Sequence, residues 1–273
     1  MPFLQDSRTP DGPRCVLAID TTAAVCSVSV RVQHAQTVSQ WTDRRPLTPG
    51  QSRAVLEQVQ TARKALAAGE PLPLPDLVAF GCGPGAFTGL RVACGVAQGL
   101  ALGWDCPVAA IDSLTTLAWQ ARQEALLRNR PVGRIAVVLD VRMQEVAFAV
   151  FDPAAWLSCI GQSPSQWPTP LTDPLLCSPD AAFALLSDLA VNNTPPLLAG
   201  DAFGVYPVLQ GMQASVLVEQ PDAAAVAELA AIAFKLGRVT DAAQAAPTYL
   251  RDKVALDRHE QESLRAARRA QTD

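Results

Sequence analysis

VLAIDTTAAVCSVSV (residues 16–30) and AVVLDVRMQEVAFAV (136–150) are the two stretches whose comparison decides the fold. Each reads as an apolar strand that ends in Asp, a short turn, and a second strand of alternating character. They superpose at a constant offset of 120 residues: Asp20 on Asp140, Cys26 on Val146, Val28 on Phe148 and Val30 on Val150. At the same offset LVAFG (77–81) falls on LLAGD (197–201), another apolar strand that runs into a glycine-bearing turn. Three matches at one spacing predict an internal repeat, and hence two related α/β lobes.

The segments between these strands fill in the layout. TPGQSRAVLEQVQTARKALAAG (48–69) reads as a helix, with Thr48 and Gln51 in a capping-box pattern, Pro49 at the first helical position and Gly69 as its stop. Val55, Val59, Ala62 and Leu66 share one face of it. Val108–Ile111 reads as a strand leading to a helix that Ser113 could cap, which puts the start of the second lobe near residue 108. A further helix runs from Asp222, a plausible cap, to Gly237, and PTYLRDKVA after it is extended. Asp152 to Pro179, rich in Pro and Ser, reads as loops. The expected divisions are an extension (1–14), an N-terminal lobe (15–107), a C-terminal lobe (108–220), a helix with an extended segment (221–253) and a charged tail (254–273).

Bulk properties exclude several function classes. The 273 residues can bury a substantial core, and apolar residues make up 49% with no uninterrupted run long enough to span a membrane. The start carries an acidic residue and three prolines where a signal peptide needs a basic end and an apolar stretch, so no export is expected. Seven cysteines, none in a C-x-x-C pair, fit a reducing cytoplasm. The net charge of −4 offers no broad basic field for a phosphate backbone. A direct tRNA-binding module would rest on the tail alone, where Arg251, Lys253, Arg258, Arg265, Arg268 and Arg269 are interleaved with acids.

Seven of the chain's 16 glycines sit in GCGPGAFTGLRVACGVAQGLALG (81–103). The front follows the strand Leu77–Phe80 and enters a helix at Thr88, so it either cradles a phosphate or makes a tight turn. Its spacing fits neither G-x-G-x-x-G nor the Walker pattern, and no lysine follows. On a helical wheel Val92, Gly95, Val96, Gly99 and Gly103 fall on one arc, and Leu90, Ala93, Ala97 and Leu100 on the next. Arg91 and Gln98 leave a narrow polar stripe. Each interior glycine costs roughly 0.8–1 kcal/mol relative to alanine, so close packing should offset it. The glycine arc either packs within this chain or meets another molecule.

LAIDTT, GPGAFTGLRVA with GVAQGLALG, LDVRMQEV and PTYLR together resemble the bacterial TsaB (YeaZ) family, from about Val16 to Val254. That resemblance implies the two-lobed actin-like, sugar-kinase and Hsp70-like ATPase fold. It also implies a non-catalytic partner of the TsaD enzyme, working with TsaE to attach threonylcarbamoyl to N6 of adenosine 37 in tRNA. Members pair through the helices of the first lobe, with themselves or with TsaD, which implies a partner face at Val55, Val59, Arg91, Val92, Gly95, Val96, Gly99 and Gly103. Contact with tRNA would be indirect, through the complex. One departure stands out: where the family often has His and, further on, Pro along the first long helix, this chain has Gln51 and Glu57.

No catalytic centre emerges from the residues. The related TsaD enzymes hold a metal with an H-x-x-x-H pair, whereas His34 and His259 here lie 225 positions apart. No nucleophile stands beside a histidine base, so a protease cannot be assembled either. The alternative is an independent kinase-like ATPase with Asp20, Thr21 and Thr22 at the nucleotide and Asp140 as the counterpart acid, although a strand-end Asp can equally cap its own turn. The chain alone is expected to require no cofactor, with ATP or ADP and Mg²⁺ entering at the level of the complex.

Overall fold

The computed structural model describes residues 12–34, 37–47, 51–66, 73–154, 156, 167–189 and 195–250. The expected Thr48/Pro49 cap, the Gly69 stop, the charged tail, Cys159 and His259 lie outside the described residues.

Two five-stranded mixed sheets carry the molecule. The first contains β1 (Cys15–Asp20), β2 (Val25–Gln33), β3 (Val38–Pro46), β4 (Leu77–Gly83) and β5 (Val108–Asp112), in the order β3-β2-β1-β4-β5. The second contains β6 (Ile135–Asp140), β7 (Val146–Phe151), β8 (Leu175–Cys177), β9 (Leu197–Ala199) and β10 (Val216–Val218), in the order β10-β9-β6-β7-β8. Read from the opposite edge, the second order repeats the first. In both sheets the leading strand is antiparallel to the next strand in sequence and parallel to the fourth. The chain is therefore an α/β protein of two related lobes, the fold that the resemblance implies.

Helices complete the layers. α1 (Gln51–Leu66) and α2 (Phe87–Trp104) cover the outer face of the first sheet. α4 (Pro179–Ser187), α5 (Ala202–Val205) and α6 (Pro207–Gln210) cover the outer face of the second. α3 (Ser113–Leu127) and α7 (Ala223–Lys235) lie in the core shared by the two sheets, with Leu117, Ala121, Val226 and Ala230 fully buried. Such apolar helices are stable because both sides are covered. Among the described residues no helix is long and apolar enough to cross a membrane.

Side-chain alternation corrects the register of the repeat. Val16 and Ala18 face the shared core, while Leu17 and Ile19 face α1 and α2. In β6 the inward residues are Ile135, Val137 and Leu139, and Ala136 and Val138 point outward. A strand's faces alternate with period two, so a one-residue shift exchanges them. Leu139 is thus the counterpart of Asp20, and Asp140 lies one residue beyond. The ladders agree, since Asp20 stands opposite Ser27 and Leu139 opposite Ala147. The remaining matches hold their faces: Cys26, Val28 and Val30 correspond to Val146, Phe148 and Val150, and Leu77 and Ala79 to Leu197 and Ala199. The second turn is one residue longer, and Arg142, Met143 and Gln144 all take left-handed backbone within it, with φ of 68°, 58° and 61°.

Three other expectations change. β5 pairs with β4, so residues 108–112 complete the first sheet and the second sheet begins at Ile135. Asp112, not Ser113, caps α3: its carboxylate accepts from the Thr115 amide at 2.7 Å. β8 is a strand inside the stretch read as loops, paired antiparallel with β7. Asp222 does cap α7, accepting from the Ala225 amide at 3.1 Å, and Gly237 with φ of 69° follows its end.

Candidate functional site

The glycine segment divides into two halves with different neighbours. Its front half is closed against the turn after β1. Thr21 Oγ1 donates to the Gly89 carbonyl at 2.6 Å, and the Ala86 amide donates to the Thr22 carbonyl at 2.7 Å. A Cβ on Gly85 would lie 2.5 Å from the Thr22 carbonyl oxygen, and one on Gly89 would overlap that of Thr21. A Cβ on Gly81 would overlap the Asp20 carboxylate. These glycines exist because residues 20–22 occupy the space beside them.

That packing closes Asp20 and Thr21 off from solvent. Both are completely buried, and Thr22 is 3% exposed. Asp20 Oδ1 accepts from the Thr22 amide at 2.9 Å and from Thr22 Oγ1 at 2.8 Å, whereas Oδ2 is buried without a hydrogen-bond partner. Burial pushes this carboxyl up to about 6, against the lowering effect of the Thr22 bonds. Asp20 and Thr21 thus present no surface to a ligand, and Thr22 is the one of the three that lines the cleft between the lobes.

The corresponding turn of the second lobe is also satisfied internally. Asp140 Oδ1 accepts from the Arg142 amide at 2.9 Å and the Tyr206 hydroxyl at 2.8 Å, and Oδ2 lies 3.3 Å from the Arg142 guanidinium. Asp201 Oδ1 in turn accepts from the Asp140 amide at 2.9 Å. Burial, with the Asp140 carboxylate beside it, pushes the Tyr206 hydroxyl up to about 12. Asp140 is a turn cap. Gly200, with φ of 110°, sits where a Cβ would overlap the Val138 carbonyl, so LLAGDAFG is a close backbone crossing. Between the lobes a cleft of about 440 Å³ remains, with Thr22, Pro84, Phe87, Asp140, Arg142 and Tyr249 on its walls.

Among the described residues no cluster of three or more His, Cys, Asp or Glu side chains could hold a metal ion, and His34 is exposed. The described cysteines are free thiols, and burial pushes Cys15 and Cys82 up to about 12, far from the reactive thiolate.

The back half of the glycine segment faces outward. Gly89, Leu90, Ala93, Cys94, Ala97 and Ala101 form the buried side of α2. On the opposite side, a Cβ at Gly95, Gly99 or Gly103 would have nothing within 4 Å among the described residues. Val92, Val96 and Leu100 are half-buried beside them. With Leu56 of α1, 42% exposed, they bound an open groove of about 710 Å³. Among the described residues, then, nothing packs over the glycine arc.

The structure also changes the membership of the expected partner face. Val55 and Val59 point into the first-lobe core, at 0% and 3% exposure, and their side chains are not available to a partner. Leu56, Phe87 and Leu100 stand in the groove instead. The wheel of α2 had grouped Leu100 with Leu90, Ala93 and Ala97 on the other arc, and the α1 contribution depended on which face of α1 met the sheet. At the groove's end Arg91 lies with its guanidinium carbon 3.8 Å from the Phe87 ring centroid and its Nε 3.4 Å from the Tyr249 hydroxyl.

Several known proteins are similar to this chain. A family model described as "TsaD: tRNA N6-adenosine threonylcarbamoyltransferase" matches residues 53–154. The chain is 28% identical over 244 residues to "tRNA threonylcarbamoyladenosine biosynthesis protein TsaB" of Haemophilus influenzae, covering 88% of this chain and 94% of that protein. It is 32% identical over 142 residues to the protein of the same name from Escherichia coli, covering 50% of this chain and 54% of that one. Among solved structures, "YeaZ from Pseudomonas aeruginosa" aligns with a TM-score of 0.64 at 27% identity, over 86% of this chain and 99% of that one. A second, a "protein with similarity to peptidase YEAZ from Pseudomonas aeruginosa", aligns with a TM-score of 0.66 at 28% identity, over 87% and 99%.

Proposed function

This chain resembles the TsaB (YeaZ) proteins over nearly its whole length, and from that premise we propose that it is a non-catalytic accessory subunit in the threonylcarbamoylation of adenosine 37 of tRNA. In this reading it pairs with the TsaD enzyme, works with TsaE, and meets tRNA through the complex in the cytoplasm. The observation that carries the proposal is the open glycine face of α2. Three glycines of α2 at four-residue spacing have nothing within 4 Å among the described residues. They let a second helix approach closely, which repays their cost in helix propensity.

The sealed Asp20 turn supports an accessory role over an independent ATPase. A nucleotide, with its Mg²⁺, then belongs to the complex and is not required by this chain alone. Self-pairing through the same groove is the expected resting state in isolation. Light scattering on a sizing column tests the reading, with the chain run alone and then mixed with TsaD from the same source. A one-to-one complex that displaces any self-pair is expected. A chain that ignores TsaD while hydrolysing ATP on its own would replace the reading with the ATPase.

A further inference from the structure

Arg91 is the charged member of an otherwise uncharged groove, and it is held in place before any partner arrives. Its guanidinium lies over Phe87, its Nε reaches the Tyr249 hydroxyl, and the two rings themselves stand 5.7 Å apart. Stacking on a ring fixes the plane of a guanidinium while leaving its outer edge free to donate. No carboxylate lies within ion-pair distance of Arg91 among the described residues. A cation fixed at the end of an apolar groove is complementary to an acid carried by whatever fills that groove.

A second copy of this chain supplies that acid poorly. α2 contains no Asp or Glu from Phe87 to Trp104. On α1, next to the groove residue Leu56, the acid is Glu57, in an exposed pair with Arg53 at 3.0 Å, a weak competitor for a fixed guanidinium.

We propose that Arg91 is a specificity-determining residue of the groove, receiving an Asp or Glu carboxylate from a helix of the TsaD partner whose aliphatic side chains fill the space over Gly95 and Gly99. The inference rests on the pairing reading above and adds the charge that separates the heterologous partner from a second copy. A self-pair fills the same apolar space but leaves the guanidinium without its counterion.

The test compares wild type, Arg91→Glu and Arg91→Gln, measuring the dissociation constant with TsaD and the self-association constant at low and raised salt. Arg91 is exposed, and a thermal melt confirms that each variant folds. Arg91→Glu is expected to weaken the TsaD complex about tenfold or more, while self-association changes by less than about threefold. Arg91→Gln should fall between and lose most of the salt dependence of the wild-type complex. Unchanged affinity of Arg91→Glu for TsaD, or equal loss of both associations, overturns the inference while leaving pairing intact. Failure of the wild-type chain to bind TsaD at all overturns the pairing reading itself.

Discussion

Asp20 is a residue whose burial should be visible in a pH titration. Its carboxyl rises from the ordinary value of 3.8 to about 6 because it is shut away from water, with Oδ2 unbonded. Between those values the native state holds a proton that the unfolded chain has released. Stability is thus fully present below pH of about 4 and falls as pH rises through about 6. Asp20→Asn keeps the acceptor for Thr22 and removes the buried charge. Denaturation curves from pH 4 to 8 should show the variant gaining on wild type across that window, by up to about 3 kcal/mol at pH 7. Parallel profiles for the two proteins would mean that water reaches the carboxylate. At the neighbouring Gly89, alanine places a methyl group on the Thr21 carbonyl oxygen, and a loss of roughly 1–3 kcal/mol is expected in the same assay.

At the scale of the element, α2 presents two glycine environments along one helix. Gly99→Ala points its methyl into open space, so the gain in helix propensity should raise the stability of the isolated chain by about 0.5–1 kcal/mol. That is opposite in sign to Gly89→Ala. Gly95→Leu and Gly99→Leu should leave the melting temperature of the monomer near wild type while abolishing association on a sizing column. Loss of the monomer fold in either leucine variant would show that the groove is filled from within. The direction of each effect depends on where along α2 the backbone meets the Thr21–Thr22 turn.

At the scale of the whole molecule, the two lobes share a single inner core. α3 and α7 lie between the sheets, and Trp119 Nε1 of α3 donates to Glu228 of α7 at 2.7 Å. The Ser27 hydroxyl of the first sheet accepts from the Ala223 amide at the start of α7, although 196 residues separate them in sequence. The ring of Trp119 stacks at 6.2 Å on Trp156, which also meets Phe151 of the second sheet. Elements that share one core unfold together. Urea unfolding followed by tryptophan fluorescence and by far-ultraviolet circular dichroism should therefore give coincident transitions. Two separated midpoints would show that each lobe stands on its own layers.

The sequence by itself determined the repeat and the α/β class, because each is written in local periodicity: strands alternate, helices recur every three to four residues, and the duplicated pattern recurs near 120. The cap at Asp222 and the stop at Gly237 were legible for the same reason, being short-range backbone chemistry. The tertiary structure decided what needed distant partners. The pairing of β5 with β4 set the lobe boundary, and the face each strand turns to the shared core moved the counterpart of Asp20 to Leu139. It sealed Asp20 and Thr21 against Gly81 and Gly89, turned Val55 and Val59 inward, and left Gly95 and Gly99 open. A glycine specifies the absence of a side chain, and what approaches the bare backbone depends on segments tens of residues away in the chain.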